Sequence, residues 1–536
     1  MDTVLSGGPA VEMKCIIGAY AAFGKREVQR GCLHFFRGCA TSCRGFRGQA
    51  LFPVEVQASM PRERKTPAGH VFSRFFEPGS IAVIGSFKDG FFGGHVIVKS
   101  LLKGGYRGKI FPINPAYREV HGLKVYPSLK DVPQKVDLAM VMINARSVAG
   151  MVRECARKGI RAMIVVSDGF AERDEEGARL QKELLDVAGE EGVRIIGPNT
   201  AGVVNTANGF NPCAYEAGYY RIRKGPIAIG AQTGMTNPQA FAYPDLHFGV
   251  SKICDFGNKC DVDECDLLEY LAQDPDTGVI SMYLESIRDG RRLMKIARGV
   301  TQTKPVLVFK SGRTKEGARA SASHTGAMAV DDKIFDGLCR QSGILRLEEF
   351  KDLFEIPKMF ASQALPKGGR LGIVTLTGGV GVVIIDEGAK YGVSLTTLSG
   401  ETRQALDGIY QGLGSMPVDI GPMMAAVKNP FEIYPKVVEA VAADCNVDML
   451  FNVVWANPTD VIFSSYFKVY ERIKERIKKP VATWIYGPSS EVASDLAKRV
   501  ENMGFPVFTS PEKCIQALGL AWAYKRYTVQ GTRYTE

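Results

Sequence analysis

The stretch PIAIGAQTGMTNP, residues 226–238, holds three elements in the order that a parallel α/β sheet requires. Its apolar run predicts a buried strand, and its glycine-containing segment predicts a tight turn. A helix is expected to begin near Met235, because Pro238 is tolerated in a first turn. The stretch LGIVTLTGGVGV, residues 371–382, repeats this order. Together they predict parallel sheets with helices on their faces.

Apolar runs return along most of the chain at the spacing of strands in such sheets. They alternate with amphipathic segments such as residues 174–188, which place Leu180, Leu184 and Val187 on one face. We therefore predict an α/β fold of three consecutive doubly wound parallel-sheet units, a Rossmann-like unit followed by two flavodoxin-like units. The expected strands lie at Ile81, Ile110, Leu138, Met163, Ile195, Ile227, Ile253, Ile280, Val306, Ile373, Val393, Met449, Val481 and Val507.

The three predicted units span residues 68–222, 223–366 and 367–536, after a basic tail of residues 1–67. The tail contains ten Lys and Arg against five acids, which is half of the net charge of +10. It shows no sustained strand or helix period, so we expect it to be disordered. Its acids and cysteines match a mitochondrial presequence only in part, and translation from Met60 is the favoured interpretation.

The composition, 45% hydrophobic and 23% charged, is typical of globular proteins. No apolar run approaches the roughly 18 residues of a membrane span, and the basic excess is too scattered to predict nucleic-acid binding. The twelve cysteines form no CxxC pair, which favours a reducing cytoplasm. Cys260 and Cys265 have no histidine nearby, so no metal site is predicted.

Two residues carry the candidate chemistry. His324, in the run SASHTGA of residues 321–327, is surrounded by small and hydroxylated residues and is expected on an exposed, mobile loop. Such an imidazole can accept a phosphoryl group and release it again. Glu285 ends the strand run TGVISMYLESI, residues 277–287, and is expected at the sheet edge where ligands bind. There it could accept a proton from one ring nitrogen and leave the other as nucleophile.

Glycine turns before helices supply candidate phosphate seats, because free backbone N–H groups and the positive helix end attract anions. In the first unit the glycines at 85, 90 and 93 depart from GxGxxG, so a nicotinamide cofactor is not favoured. A longer turn of this kind can still seat a nucleotide phosphate. The candidate phosphate-binding residues of the second and third units are Gln232, Thr233, Gly234, Thr377, Gly378 and Gly379.

Five segments appear in the order of one family. They are the run around His324, the YLE strand end, GNKCDVD at 257–263, IIGPN at 195–199 and SIAVIG at 80–85. They resemble the alpha subunit of NDP-forming acyl-CoA synthetases, above all acetyl-CoA synthetase (ADP-forming), with the succinyl-CoA synthetase alpha subunit more distant. The resemblance extends from about Phe75 to Tyr527.

The resemblance implies an acid–CoA ligase that interconverts acyl-CoA, phosphate and ADP with a small carboxylic acid, CoA and ATP. Its intermediates would be an acyl phosphate and a phosphohistidine at His324, oriented by Glu285. Mg-ADP or Mg-ATP would be bound by a separate ATP-grasp beta chain in a hetero-oligomer, since no such domain follows the third unit. The residues expected along CoA, from its phosphates past the adenosine to the pantetheine arm, are Gly85, Ser86, Lys88, Asn114, Pro115, Ser167, Gly169 and Asn199.

Three positions depart from the family pattern: Thr200 replaces a cysteine, Ala231 a serine and Asn144 a proline. They could shift the preference for the acid or for CoA without loss of the phosphoryl chemistry. Two alternatives stay open, another CoA ligase or lyase of the superfamily (malate–CoA ligation, citrate cleavage) and a non-catalytic CoA-sensing module. The sequence leaves the acyl group, the choice of ADP or GDP and the direction undetermined.

Overall fold

The computed structural model describes residues 70–215, 222–236, 246–325, 331–456 and 460–530. These residues belong to one compact unit, Glu63–Glu536, whereas the expected disorder of the basic tail falls outside the described residues. The helices are α1 Val71–Phe76, α2 Gly94–Lys103, α3 Ala145–Arg157, α4 Glu175–Glu191, α5 Glu264–Gln273, α6 Gly290–Val300, α7 Lys315–Thr325, α8 Asp332–Ser342, α9 Asp352–Glu355, α10 Pro357–Ser362, α11 Gly378–Ala389, α12 Gly400–Ile409, α13 Gly421–Ala426, α14 Pro430–Ala443, α15 Asp460–Arg476, α16 Ser490–Asn502 and α17 Pro511–Gln530.

The strands form three principal sheets and one small hairpin. They are β1 Ser80–Gly85, β2 Lys109–Ile113, β3 Glu119–Val120, β4 Leu123–Lys124, β5 Leu138–Met142, β6 Ala162–Val165, β7 Arg194–Ile196, β8 Val203–Asn205, β9 Lys224–Ala231, β10 Val250–Asp255, β11 Val279–Leu284, β12 Val306–Lys310, β13 Leu345–Arg346, β14 Arg370–Thr375, β15 Ser394–Leu395, β16 Val418–Asp419, β17 Met449–Trp455, β18 Val481–Tyr486 and β19 Val507–Phe508.

The first sheet has the order β2-β1-β5-β6-β7, and all its pairings are parallel. The second has the order β13-β12-β11-β9-β10-β8, in which only the edge strand β8 is antiparallel. That strand comes from the segment predicted for the first unit, and Val204 pairs with Ile253 of β10. The third sheet runs β15-β14-β17-β18-β19, and β16 pairs with β14. Three doubly wound parallel sheets therefore confirm the predicted α/β class.

Local sequence signals explain where the elements begin and end. Helix α4, predicted over 174–188, has Asp174 as its N-cap, whose side chain accepts a hydrogen bond from the Gly177 N–H. It ends at Gly192, which takes the left-handed conformation (φ 63°) that glycine adopts without strain. Thirteen of the fourteen predicted strand positions fall inside strands, and Val393 immediately precedes β15.

Two expectations need correction or remain incomplete. The segment around His324, expected as a mobile loop, is helical over Lys315–Thr325, because its Ala, Lys, Glu and Arg content favours a helix despite Gly317. The helix expected near Met235 is represented by a 3₁₀ turn at Gly234–Thr236, and its continuation lies outside the described residues.

The segment between β10 and α5 joins the first two sheets. The N–H of Asn258 donates to the Pro198 carbonyl at 2.9 Å, and that of Cys260 donates to the Gly197 carbonyl at 3.1 Å. Gly257 lies against this turn with φ 55°, and a Cβ atom there would overlap the Pro198 carbonyl oxygen. Glycine is therefore required where the two backbones meet.

The cysteines of the described part are mostly packed in the interior: seven of eight are buried. Burial raises the pKa of the Cys260 thiol to about 12, so it stays protonated and acts as a small apolar group. Within the described ranges no cluster of three or more His, Cys, Asp or Glu suited to a metal ion occurs. None of the helices described here is both long enough and apolar enough to cross a membrane.

Candidate active site

Strand ends of the first and second sheets meet at a cavity of about 580 Å³. Ligands of open α/β sheets bind at the carboxyl ends of the strands, and this cavity has that position. A second cavity of about 670 Å³ adjoins it, because Ile143, Asp168 and Asn199 line both. The two cavities therefore share part of their lining.

The residues predicted to follow the pantetheine arm lie at these cavities. Ser167 lines the first, Gly169 the second and Asn199 both. The Ser167 hydroxyl donates to the Ile143 carbonyl at 2.6 Å, and the Gly169 N–H donates to Glu172 Oε1 at 2.6 Å. The Ser167 bond joins the ends of two strands and the Gly169 bond closes a local turn, so both groups already have partners within the protein.

The residues predicted near the CoA phosphates and adenosine gather at the ends of β1 and β2. Asn114 Nδ2 donates to the Gly85 carbonyl at 2.8 Å, and Ser86 Oγ lies 3.2 Å from Tyr117 Oη. Lys88 and Pro115, next to them in the chain, are exposed. These residues thus lie at neighbouring strand ends, and Lys88 is an accessible cation among them.

The β9 turn, residues 231–234, forms one wall of the first cavity. Gln232 is buried and its side chain is fully used: Oε1 accepts from the N–H groups of Glu285 (2.9 Å) and Ser286 (3.0 Å), and Nε2 donates to Ser286 Oγ at 3.1 Å. Its own N–H donates to the Tyr283 carbonyl. Gln232 therefore ties the turn to the end of β11, while Thr233 and the exposed Gly234 are left to face a ligand.

Glu285 follows β11 directly and is only 6% exposed, so it is not the solvated strand-end residue that a carboxylate often is. The Tyr283 hydroxyl donates to Glu285 Oε1 at 2.8 Å. Burial raises the pKa of Tyr283, so its hydroxyl remains a proton donor at neutral pH. The ring of Tyr283 stacks on Phe309 with centroids 5.8 Å apart, which fixes the position of the hydroxyl.

His324 lies in α7, and this helix contacts the strand end that carries Glu285. Ser321 Oγ donates to the Glu285 carbonyl at 3.3 Å. The backbone of His324 is three residues, or about one helical turn, beyond Ser321. The side chain of His324 falls outside the described residues.

A buried lysine lies behind the β9 turn, and the sequence analysis assigned it no role. Lys259 Nζ donates to Gln232 Oε1 (3.2 Å), to Glu264 Oε2 (2.6 Å) and to the Ser286 carbonyl (2.7 Å). Lys259 also has φ 54°, a conformation uncommon for residues other than glycine. The available signal was a lysine placed between an apolar strand and the acid-rich start of α5.

Two aromatic residues of the cavity wall were also missed. Phe92 and Tyr215 form an antiparallel bridge, and their ring centroids are 4.6 Å apart. Phe92 lies in the glycine-containing loop after β1, and Tyr215 lies near the end of the first predicted unit. Only their joint position reveals them, because they are more than a hundred residues apart in sequence.

The three departures from the family pattern have structural settings. Thr200 is buried, and its hydroxyl donates to the Asp255 carbonyl at 2.5 Å and accepts from the Gly202 N–H at 2.9 Å. Ala231 is fully buried at the end of β9. Asn144 caps α3 by accepting from the Arg146 N–H. Asn144 and Thr200 thus stabilise the strand ends that frame the cavities.

The β14 turn, residues 376–379, lies at the carboxyl end of a strand in the third sheet. Thr375 Oγ1 closes it by donating to the Thr377 carbonyl at 2.8 Å and accepting from the Thr377 N–H at 3.0 Å. Helix α11 begins there with Gly378 and Gly379 exposed, and among the described residues Thr377 forms no side-chain cap. A Cβ atom on Gly378 would lie 3.2 Å from Asp419 Oδ2.

The chain resembles known proteins over most of its length. Residues 79–206 match the family model of a CoA-binding domain, and residues 224–360 match that of a succinyl-CoA ligase-like flavodoxin domain. Acetate–CoA ligase (ADP-forming) II of Archaeoglobus fulgidus is 37% identical, over 85% of this chain and 67% of that protein. The alpha subunit of acetate–CoA ligase (ADP-forming) II of Pyrococcus furiosus is 35% identical, over 82% of this chain and 94% of that subunit.

A solved structure gives the same result for the fold. The dinucleotide-forming acetyl-coenzyme A synthetase 1 of Ca. Korarchaeum cryptofilum, in complex with phosphate and ADP, superposes with a TM-score of 0.78. The two chains are 32% identical, and the match covers 86% of this chain and 98% of that one.

Proposed function

The chain belongs to the family of ADP-forming acetate–CoA ligases, and on that premise we propose that it is the alpha subunit of an acid–CoA ligase. It would interconvert acyl-CoA, phosphate and ADP with a small carboxylic acid, CoA and ATP. An ATP-grasp beta chain would hold Mg-ADP or Mg-ATP and form a hetero-oligomer with it. The P. furiosus relative is an alpha subunit, and the match covers 94% of it, which supports this division.

The first step would take place at the paired cavities. A phosphate oxygen attacks the thioester carbonyl, the C–S bond breaks, and CoA leaves with a proton as an acyl phosphate forms. The exposed Lys88 would contact the CoA phosphates, and Thr233 and Gly234, which line the first cavity, would border the attacking phosphate. Backbone donors of such a turn stabilise the negative charge that develops there.

In the second step a ring nitrogen of His324 attacks the phosphorus of the acyl phosphate. The P–O bond breaks, and the carboxylate of the acid leaves. Glu285 accepts the proton of the other ring nitrogen and stabilises the imidazole as it becomes positively charged. The phosphoryl group then passes to ADP on the partner chain.

The observation that carries this proposal is the meeting of three elements at one point. The N–H of the buried Glu285 donates a hydrogen bond to Gln232 of the cavity wall. Its carbonyl accepts one from Ser321 of the helix that contains His324. A glutamate whose backbone is anchored to both a cavity wall and a histidine-bearing helix can supply the carboxylate that orients a nucleophile.

Labelling with radioactive phosphate tests the proposal. The full chain, incubated with acetyl-CoA and labelled phosphate, should gain acid-labile, alkali-stable label that is absent from His324→Ala. His121→Asn provides a matched control, because His121 is an exposed histidine whose φ of 48° asparagine also tolerates. If His324→Ala took up label as wild type does, the assignment of the phosphohistidine would be wrong.

A further inference from the structure

Burial of the ion pair Lys259–Glu264 carries a large desolvation cost. Both side chains are almost inaccessible, at 1% and 0% exposure. Among the described residues no hydrogen-bond partner reaches Glu264 Oε1, and Lys259 has the left-handed backbone noted above. Buried ion pairs often stabilise a fold no more than apolar side chains of the same size. Fold stability is therefore a poor explanation for this pair.

The contacts of Lys259 indicate another role. Its ammonium group donates to Gln232 Oε1 and to the Ser286 carbonyl. Gln232 Oε1 is also the acceptor for the N–H groups of Glu285 and Ser286. The ammonium thus fixes one oxygen that positions the backbone on both sides of the Glu285 carboxylate.

The same segment also forms the CoA side of the site. Gly257 and Asn258, the two residues before Lys259, line the first cavity. The Asn258 side chain donates to Gln181 Oε1 at 2.9 Å, and its N–H donates to the Pro198 carbonyl. Lys259 therefore connects the wall of the proposed CoA site with Glu285 of the second sheet.

We propose that Lys259, held by Glu264, is a positioning residue that places the Glu285 carboxylate for phosphoryl transfer. This inference rests on the proposed function, in which Glu285 orients His324. Lys259 acts through Gln232 and the backbone of residues 285–286. Loss of its charge would shift Glu285 relative to the imidazole, and misplacement by about 1 Å can cost about 10²-fold in rate.

The chain contains a matched control at the other end of the same helix. Lys252 on β10 is 2% exposed and donates to Asp274 Oδ2 at 3.0 Å, and Asp274 is the C-cap of α5. Each lysine therefore joins one end of α5 to the second sheet, but only Lys259 contacts Gln232. Lys259→Met/Glu264→Gln and Lys252→Met/Asp274→Asn remove both charges of each pair, so neither variant leaves an isolated buried charge.

The experiment measures the rate of acetyl-CoA-dependent phosphohistidine formation by rapid quench, the CoA dissociation constant and the melting temperature of the full chain. Lys259→Met/Glu264→Gln should lose about 10- to 100-fold in rate with CoA affinity changed less than about twofold. The Lys252 variant should lose less than about twofold at a similar melting temperature. Equal rate losses in the two variants would overturn the proposal.

A double-mutant cycle with Glu285→Gln separates positioning from general damage. If Lys259 acts through Glu285, the Lys259 variant should cost little further rate once Glu285 is glutamine. Full additivity of the two losses would overturn the positioning role while leaving the proposed function intact. A Glu285→Gln variant as fast as wild type would instead remove Glu285 from the reaction, and the present inference with it.

Discussion

The β9 turn and the β14 turn have the same local sequence plan but different surroundings. Gln232 of the β9 turn is bonded across to the end of β11 and to the buried Lys259, whereas the β14 turn is closed by Thr375 of its own strand. The β9 turn therefore has the ion pair of Lys259 and Glu264 behind it, and the β14 turn has the Asp419 carboxylate beside it. Local sequence predicts the turn, but residues from distant segments decide its electrostatic environment.

This difference separates two kinds of phosphate site. At the β9 turn, the ligand-facing Thr233 and Gly234 stand next to a buried carboxylate and a histidine-bearing helix. At the β14 turn, an anion would contact the exposed N-terminus of α11, at Gly378 and Gly379. We therefore expect phosphoryl transfer at the β9 turn. At the β14 turn we expect weaker binding of phosphate.

The largest effect is expected for Glu285→Gln. The amide fills the same space but cannot accept the imidazole proton as a carboxylate does. Phosphohistidine formation should fall about 10²-fold or more, the range for loss of an acid–base group. Rapid-quench labelling measures the rate, and calorimetry should give a CoA dissociation constant close to that of wild type. Parallel losses of CoA affinity and rate would indicate a structural role for Glu285 instead.

Tyr283→Phe should have the next largest effect. The substitution removes the hydrogen bond to Glu285 Oε1 but keeps the ring that packs on Phe309. Hydrogen bonds to charged groups are worth about 1.5–3 kcal/mol, so a loss of about tenfold or more in the labelling rate is expected. Tyr106→Phe is the control, since that hydroxyl donates to the Pro78 carbonyl, away from Glu285. Equal rates for Tyr283→Phe and wild type would show that the carboxylate needs no such support.

Much of the fold could be predicted because it depends on local patterns. Apolar runs such as 138–142 and 279–284 became buried parallel strands, and Asp174 and Gly192 bound α4. The family resemblance based on the segments around His324, Glu285 and GNKCDVD is confirmed by the comparisons. Edge strand β8 was not foreseen in the second sheet, since its pairing with β10 depends on residues about fifty positions away.

The site could be predicted only in part, for the same reason. The sequence placed Glu285 at a strand end, but not the burial that makes it different from a solvated carboxylate. Gln232 was predicted to bind phosphate, yet its side chain is occupied by Ser286 and Lys259. Such long-range hydrogen bonds leave no periodic signal in the sequence. The roles of His324 and of the CoA-lining residues stay predictions.

The smallest effects are expected for Gly234→Ala in the β9 turn and Gly379→Ala in the β14 turn. These two variants compare phosphate binding at the two turns directly. No described heavy atom lies within 4 Å of a Cβ atom built on Gly234 or Gly379, so the added methyl groups should not disturb the fold. They would instead occupy the approach to the backbone donors. Anion binding at a helix start is worth about 0.3–1 kcal/mol, which corresponds to about a two- to fivefold rise in the apparent Michaelis constant for phosphate.

We expect Gly234→Ala to reach the upper end of this range and Gly379→Ala the lower end, because the Asp419 carboxylate near the β14 turn already opposes an anion there. Gly400→Ala is the control: Gly400 is also an exposed glycine with open space at a helix start, but the Ser399 side chain caps that helix. Phosphate titrations of acetyl-CoA-dependent labelling give the three constants. A larger effect at Gly379 than at Gly234 would reverse the ranking, since it would mean that the exposed start of α11, and not the turn backed by Lys259, supplies most of the binding energy for phosphate.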